Sequence, residues 1–226
     1  MSDKKRILQS ILDQGMLPLF YWDSPTVTLE VMRVLYKAGI RAIEYTNRGA
    51  AALGNFEQAK KILAVEAPDL YLGIGTVKSS AEAEAYVKAG ADFIIAPIVN
   101  PEVAAVADRA GLLWMPGCMT PTEIFQAQQW GAPLIKIFPA NILGPEFISS
   151  IRELFQGQLF MPTGGVDIDK ENIRSWFKAG VAAVGMGSKL VSKEALKKED
   201  YEGLYANTLK ALKLVKEVKE EEKIKN

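Results

Sequence analysis

The stretch Pro133-Leu134-Ile135-Lys136-Ile137-Phe138-Pro139 decides how the rest of the chain is read. Four large apolar residues surround one lysine between two prolines, in a run too short for a helix, so it reads as a strand. Side chains alternate along a strand, so Leu134, Lys136 and Phe138 share one face and Ile135 and Ile137 the other. If both faces are covered, the lysine is buried. Burying an ammonium is costly and favours the free amine, and a free amine attacks carbonyl carbon to give a Schiff base. The bland alternative is an edge-strand lysine with its head in water.

Outward from this stretch, one strand–helix unit recurs. Strands are expected at residues 17–22, 40–46, 70–76, 93–98, 112–115, 134–138, 159–161 and 182–186. Amphipathic stretches between them read as helices. They carry start signals such as Asp23-Ser24-Pro25, Ser79-Ser80 and the capping-box pattern Thr120-Pro121-Thr122-Glu123. Gly39, Gly90, Gly111, Gly131 and Gly180 stand where helices stop. After the lysine strand, a helix is expected over residues 145–155. Residues 3–14 form an amphipathic helix ahead of the first strand. The tail from Ser188 reads as helical, with a mostly charged, solvated end over residues 216–226. Eight such units, at a repeat of roughly 20–30 residues, are the arithmetic of an α/β fold of the (β/α)8 TIM-barrel class with an extra N-terminal helix. No G-x-G-x-x-G opens a helix after the first strand, which argues against a doubly wound sheet. With no linker or low-complexity segment, residues 1–226 are expected to be a single barrel domain, its strands within 17–190 and a C-terminal helix over 191–226.

Composition narrows the function. Hydrophobic residues make up 49% of the 226, enough for one sizeable core. Lys+Arg and Asp+Glu both number 27, so there is no basic field for nucleic acid or an anionic membrane. The single cysteine, Cys118, allows no intramolecular disulfide and fits a cytoplasmic protein. Beside Gly117 it reads as a packed side chain. The polar-amphipathic start reads as neither signal peptide nor membrane span. With no histidine, Ser-His-Asp and Cys-His systems and imidazole metal sites are excluded. Acid–base work falls to Glu, Asp, Lys, Tyr or water. The expected partner is a small-molecule substrate and no cofactor is expected; composition leaves open a magnesium held by carboxylates and water.

Barrel sites lie at the C-terminal ends of the strands, and polar residues collect there. In residues 42–46, Ala42, Glu44 and Thr46 share a face. If Ile43 and Tyr45 pack on helices, Glu44 points inward, as a proton shuttle or as half of a structural ion pair. Arg48, next at the mouth, could clamp a carboxylate with two hydrogen bonds. Thr76 ends strand three after Gly73-Ile74-Gly75, where small residues let backbone and ligand approach. Pro97 ends strand four and Pro116-Gly117 strand five. Thr163-Gly164-Gly165 and Gly185-Met186-Gly187-Ser188 follow strands seven and eight, where barrels often bind phosphate. Trp22, Trp114, Trp130 and Trp176 read as packing residues.

Four motifs taken together resemble the 2-keto-3-deoxy-6-phosphogluconate / 4-hydroxy-2-oxoglutarate aldolases: Ile43-Glu44-Tyr45-Thr46-Asn47-Arg48, Gly73-Ile74-Gly75-Thr76-Val77, Ile135-Lys136-Ile137-Phe138-Pro139-Ala140 and Pro162-Thr163-Gly164-Gly165-Val166. The resemblance implies a metal-independent, class I pyruvate aldolase, usually a homotrimer. It implies that Lys136 forms the Schiff base and Glu44 is the general acid/base. Arg48 and Thr76 would hold the pyruvate carboxylate, and Pro97 would shape the pocket. Gly164, Gly165, Gly187 and Ser188 would bind phosphate, with Thr163 nearby. The implied reaction is cleavage of 2-keto-3-deoxy-6-phosphogluconate to pyruvate and D-glyceraldehyde 3-phosphate. The alternatives are 4-hydroxy-2-oxoglutarate or 2-keto-3-deoxy-6-phosphogalactonate as substrate, or, in another class, a non-catalytic sugar-phosphate-binding barrel or engineered scaffold. One departure stands at the end of strand one. Many family members carry an arginine there, and this chain reads Phe20-Tyr21-Trp22-Asp23.

Overall fold

A computed structural model describes residues 3–225, with side chains over residues 3–222. Nine parallel segments make the sheet. They are β1 (Met16–Phe20), β2 (Ala42–Thr46), β3 (Tyr71–Gly75), β4 (Phe93–Ile95), β5 (Leu113–Met115), β6 (Gly117–Cys118), β7 (Leu134–Ile137), β8 (Leu159–Pro162) and β9 (Val184–Met186). β5 and β6 are halves of one barrel strand. β5 pairs with β4 and β6 with β7, so the chain changes neighbours at Pro116. That residue has no N–H to keep a ladder going, and its carbonyl accepts from Lys136 N at 2.9 Å. The ladders run β5-β4-β3-β2-β1-β9 and β6-β7-β8. A parallel bridge between Thr163 and Gly185, with Ala182 N–H donating to Phe160 O at 2.9 Å, joins β8 to β9 and closes the ring. The expected (β/α)8 barrel is present.

Alternation sorts the side chains. Leu17, Ala42, Phe93, Met115, Leu134 and Met161 fill the interior, while Ile43, Tyr45, Ile94, Ile135, Ile137 and Phe160 pack outward against the helices. The leading helix α1 (Asp3–Gln14) puts Ile7 and Ile11 into the interior cluster, covering the barrel's lower end. Gln14 completes that seal. Its amide oxygen accepts from Arg41 N and Ala42 N, and its nitrogen donates to Ala42 O.

The surrounding helices are α2 (Pro25–Lys37), α3 (Ala52–Glu66), α4 (Ser80–Lys88), α5 (Pro101–Arg109), α6 (Pro121–Gln129), α7 (Ala140–Ile151) and α8 (Lys170–Ala179). Ser24, Ser79 and Thr120 cap α2, α4 and α6, the latter two as full capping boxes. The five stop glycines all have positive φ.

Two expectations are corrected. The helix expected over residues 145–155 does start at Pro145, just after a break at Gly144, where φ is 73°, but it ends at Ile151 and is preceded by a separate turn from Ala140 that was not expected. That turn is fixed at the end of the lysine strand because Ala140 N–H donates to Thr163 O at 3.0 Å, a link from the end of the neighbouring strand β8. The charged tail is also docked rather than merely solvated. After α9 (Lys193–Lys198), α10 (Tyr201–Lys225) buries Val215 and Val218, and Glu221 accepts from Lys170 and Arg174 of α8. A sequence window sees the charges but not the helix that answers them. Among the tryptophans, Trp114 and Trp176 are buried as expected, whereas Trp130 is 49% exposed.

Candidate active site

β2 and β7 aim Glu44 and Lys136 at each other across the barrel interior. Lys136 Nζ lies 3.4 Å from Glu44 Oε1, with the lysine side chain 7% exposed and the glutamate fully buried. The lysine ammonium or amine also sits 5.4 Å from the centre of the Phe138 ring, on its own face of the strand. Glu44 Oε2 has no hydrogen-bond partner among the described residues. A buried carboxylate oxygen without a partner is expensive, and such costs are found more often at functional sites than elsewhere. The pair can exchange a proton over a short path, shielded from bulk water.

The room for that carboxylate comes from β3. A Cβ on Gly75 would stand 1.8 Å from Glu44 Oε1, and one on Gly73 would meet the Phe93 ring at 2.1 Å. The sequence reading gave these glycines to ligand approach; they are filled by the protein's own side chains. Gly117, paired with Lys136, likewise has no space for a side chain, because Pro97 O would lie 2.5 Å from its Cβ. Pro97 therefore packs against Gly117, the residue paired with the lysine.

A cavity of about 450 Å³ opens at the C-terminal ends of the strands; Thr46 and Phe138, each two residues beyond a member of the pair in the chain, line it, while Glu44 and Lys136 do not. Arg48, Thr163, Gly164, Gly165, Gly187 and Ser188 all line it. Thr76 and Pro97 do not, so of the residues expected at the carboxylate Arg48 stands with the phosphate candidates at this cavity, while Thr76 and Pro97 lie on the β3–β4 side. The Arg48 side chain makes no hydrogen bond among the described residues. Thr76 has φ of 64°, a left-handed backbone that a β-branched residue rarely adopts. Thr163 is 5% exposed, and its hydroxyl has no partner among the described residues. Gly164 and Gly165 have a packing reason to be glycine. Their φ values are 97° and 74°, and a Cβ on Gly165 would come within 2.9 Å of Asn141 Cα in α7. Gly187 is different, since a Cβ there would meet only Leu19 at ordinary contact distance.

Three polar residues of the lining had no role assigned from the sequence. Tyr21 lines the cavity and donates to Asp23; burial, helped by that carboxylate, pushes its phenol up to about 12, so it stays protonated at neutral pH. Lys189 and Lys193 come from the segment after β9. Lys189 follows Ser188 directly and could have been noticed. Lys193 carries no signal of its own in a run of charged residues. Cys118 is buried on the outer face, which pushes its thiol up to about 12 and fits the packing role expected of it.

Comparison with known proteins agrees with this geometry. The family model for KDPG and KHG aldolase matches residues 8–206. A probable 2-dehydro-3-deoxy-6-phosphogalactonate aldolase of Rhizobium meliloti (strain 1021) is 32% identical over 160 residues, 71% of this chain and 74% of that one. A 2-dehydro-3-deoxy-phosphogluconate aldolase of Treponema pallidum (strain Nichols) is 31% identical over 201 residues, 84% and 92% of the two chains. Among solved structures, the KDPG aldolase of Legionella pneumophila, with pyruvate captured at low pH as a covalent carbinolamine intermediate, superposes with a TM-score of 0.80. It is 26% identical, covering 88% of this chain and 95% of its own.

Proposed function

This chain belongs to the KDPG and KHG aldolase family, and from that premise we propose that it cleaves a 2-keto-3-deoxy sugar acid through a Schiff base on Lys136, with Glu44 as the proton carrier. The observation carrying the proposal is the buried 3.4 Å pair beneath the cavity. The Legionella relative's carbinolamine is the adduct that precedes a Schiff base with pyruvate.

In this reading, the Lys136 amine adds to the C2 carbonyl, and loss of water leaves an iminium. Glu44 takes the C4 hydroxyl proton. The C3–C4 bond breaks, its electrons flow into the iminium to give an enamine, and the aldehyde departs. Glu44 returns the proton to C3, and water hydrolyses the new iminium to pyruvate and free lysine. Glu44 Oε2, left without a protein partner, is the oxygen available for that proton. Arg48 and Thr76 hold the carboxylate, and Pro97 keeps the lysine strand in place.

The substrate we favour is 2-keto-3-deoxy-6-phosphogluconate, giving pyruvate and D-glyceraldehyde 3-phosphate. Gly164, Gly165, Gly187 and Ser188 would take the phosphate, with Thr163 at the cavity floor. The Rhizobium relative supports a second reading, the 6-phosphogalactonate, and relative cleavage rates of the two phosphorylated acids and 4-hydroxy-2-oxoglutarate decide between them. The chain is also read as a homotrimer. Supporting this, Ile98, Met119, Phe125 and Ile142 are large, apolar and exposed, and they follow successive barrel strands β4, β6 and β7.

The decisive experiment incubates the protein with pyruvate, reduces with borohydride and maps the adduct by mass spectrometry. Label on Lys136 is expected. No label removes the Schiff-base reading, and label on a different lysine removes the assignment.

A further inference from the structure

The cavity above the buried pair has an uneven charge. Its lining holds three cations, Arg48, Lys189 and Lys193, and no carboxylate. A concave wall with only positive charge concentrates anions and favours those with more than one negative centre. The three cations differ in what they already do. Lys189 lies 3.2 Å from Asp167 Oδ1, so its charge is partly answered within the protein. Arg48 stands in the loop after β2, on the side of Glu44. Lys193 opens α9, beyond β9 and with only β1 between that strand and β2, in the same lining as Ser188 and Leu196, and its side chain enters no hydrogen bond or ion pair among the described residues.

We infer that Lys193 is a specificity-determining residue, the cation that selects substrates carrying a distal phosphate dianion over otherwise equivalent keto acids without one. The inference rests on the aldolase reading of the pair below. The fold supports it in two ways. Ser188 and Gly187, at the same wall, are free of any packing demand that would fill the space, since a Cβ on Gly187 meets only Leu19 at 3.6 Å. The base of α9 is held rigidly: Ser192 Oγ accepts from Ala195 N at 3.1 Å, and Leu190, Val191 and Leu196 are buried. An anchored backbone with a free ammonium can meet a phosphate without breaking any existing contact, so little is lost on binding.

The test compares kcat/KM for 2-keto-3-deoxy-6-phosphogluconate with kcat/KM for 4-hydroxy-2-oxoglutarate, in wild type, Lys193→Gln, Lys193→Arg and Lys189→Gln. Lys193→Gln should lower the ratio of the two by about tenfold, mainly through KM for the phosphorylated acid. Lys193→Arg should restore it. Lys189→Gln should change the ratio less, because that lysine is shared with Asp167. An unchanged ratio in Lys193→Gln overturns the inference, as does an equal fall for both substrates or a larger loss in Lys189→Gln. Pyruvate trapping by wild type separates the two levels of the reading. If wild type takes no label, the Schiff-base reading fails. If it takes label and the ratio does not move, the inference about Lys193 fails alone.

Discussion

Thr76 carries a side chain where the backbone would suit glycine. A β-branched residue in the left-handed region costs on the order of 1 kcal/mol or more, and such strain gathers at functional sites. Thr76→Gly is therefore expected to be about 1 kcal/mol more stable by denaturant midpoint, while KM for the keto acid rises because the hydroxyl is gone. A variant that is less stable and fully active would remove Thr76 from the site. Period-two alternation grouped Glu44 and Lys136 by face, but that both faces turn inward was legible only on the condition that Ile43, Tyr45, Ile135 and Ile137 pack on helices, which the structure meets. What alternation could not show is that Gly75 gives the carboxylate its room, because that contact crosses from one strand to the next. Lys193 was invisible for a related reason. Nothing in Ser192-Lys193-Glu194 differs from ordinary helix surface until the end of β9 places it beside Ser188.

Helix starts and stops were the most readable elements, because Ser24, Ser79, Thr120 and the stop glycines act locally. The turn of α7 ahead of Gly144 was not legible because it is set by a hydrogen bond from Ala140 to Thr163, more than twenty residues away in sequence, whereas the start at Pro145 was. α10 was misread because its acids meet bases on α8. Lys170, then Arg174, hold the Glu221 carboxyl down to about 2. A depressed carboxylate contributes stability that is present above its unfolded value, near 4.5, and is lost as pH falls through about 2. Glu221→Gln should accordingly lower the melting temperature at neutral pH, with the gap to wild type closing between pH 4.5 and 2. Because the site is open to solvent, the same gap should shrink in high salt. A gap that persists at pH 2 would mean that the carboxyl packs rather than pairs.

At the scale of the whole molecule, the apolar side chains left outside are the ones to explain. Phe125 is 56% exposed on α6, and Ile142 is 67% exposed on α7. If these face other copies of the chain, sedimentation equilibrium should return three times the chain mass, and Phe125→Glu should shift the protein toward monomer with little change in far-ultraviolet circular dichroism. A wild-type monomer at micromolar concentration would refute the trimer. The barrel itself was legible because its repeat is written eight times, and the helix ahead of it was legible as amphipathic. The job that helix does was not, since only closure of the ring shows where Ile7 and Ile11 go. With that stopper below and packed side chains filling the ring above it, the only open end is the mouth at the C-terminal ends of the strands. In the proposed Schiff-base reading both products leave by that mouth, and the keto acid is still bonded to Lys136 when the aldehyde is set free. Release should then be sequential, aldehyde before keto acid, and product-inhibition patterns should carry that order.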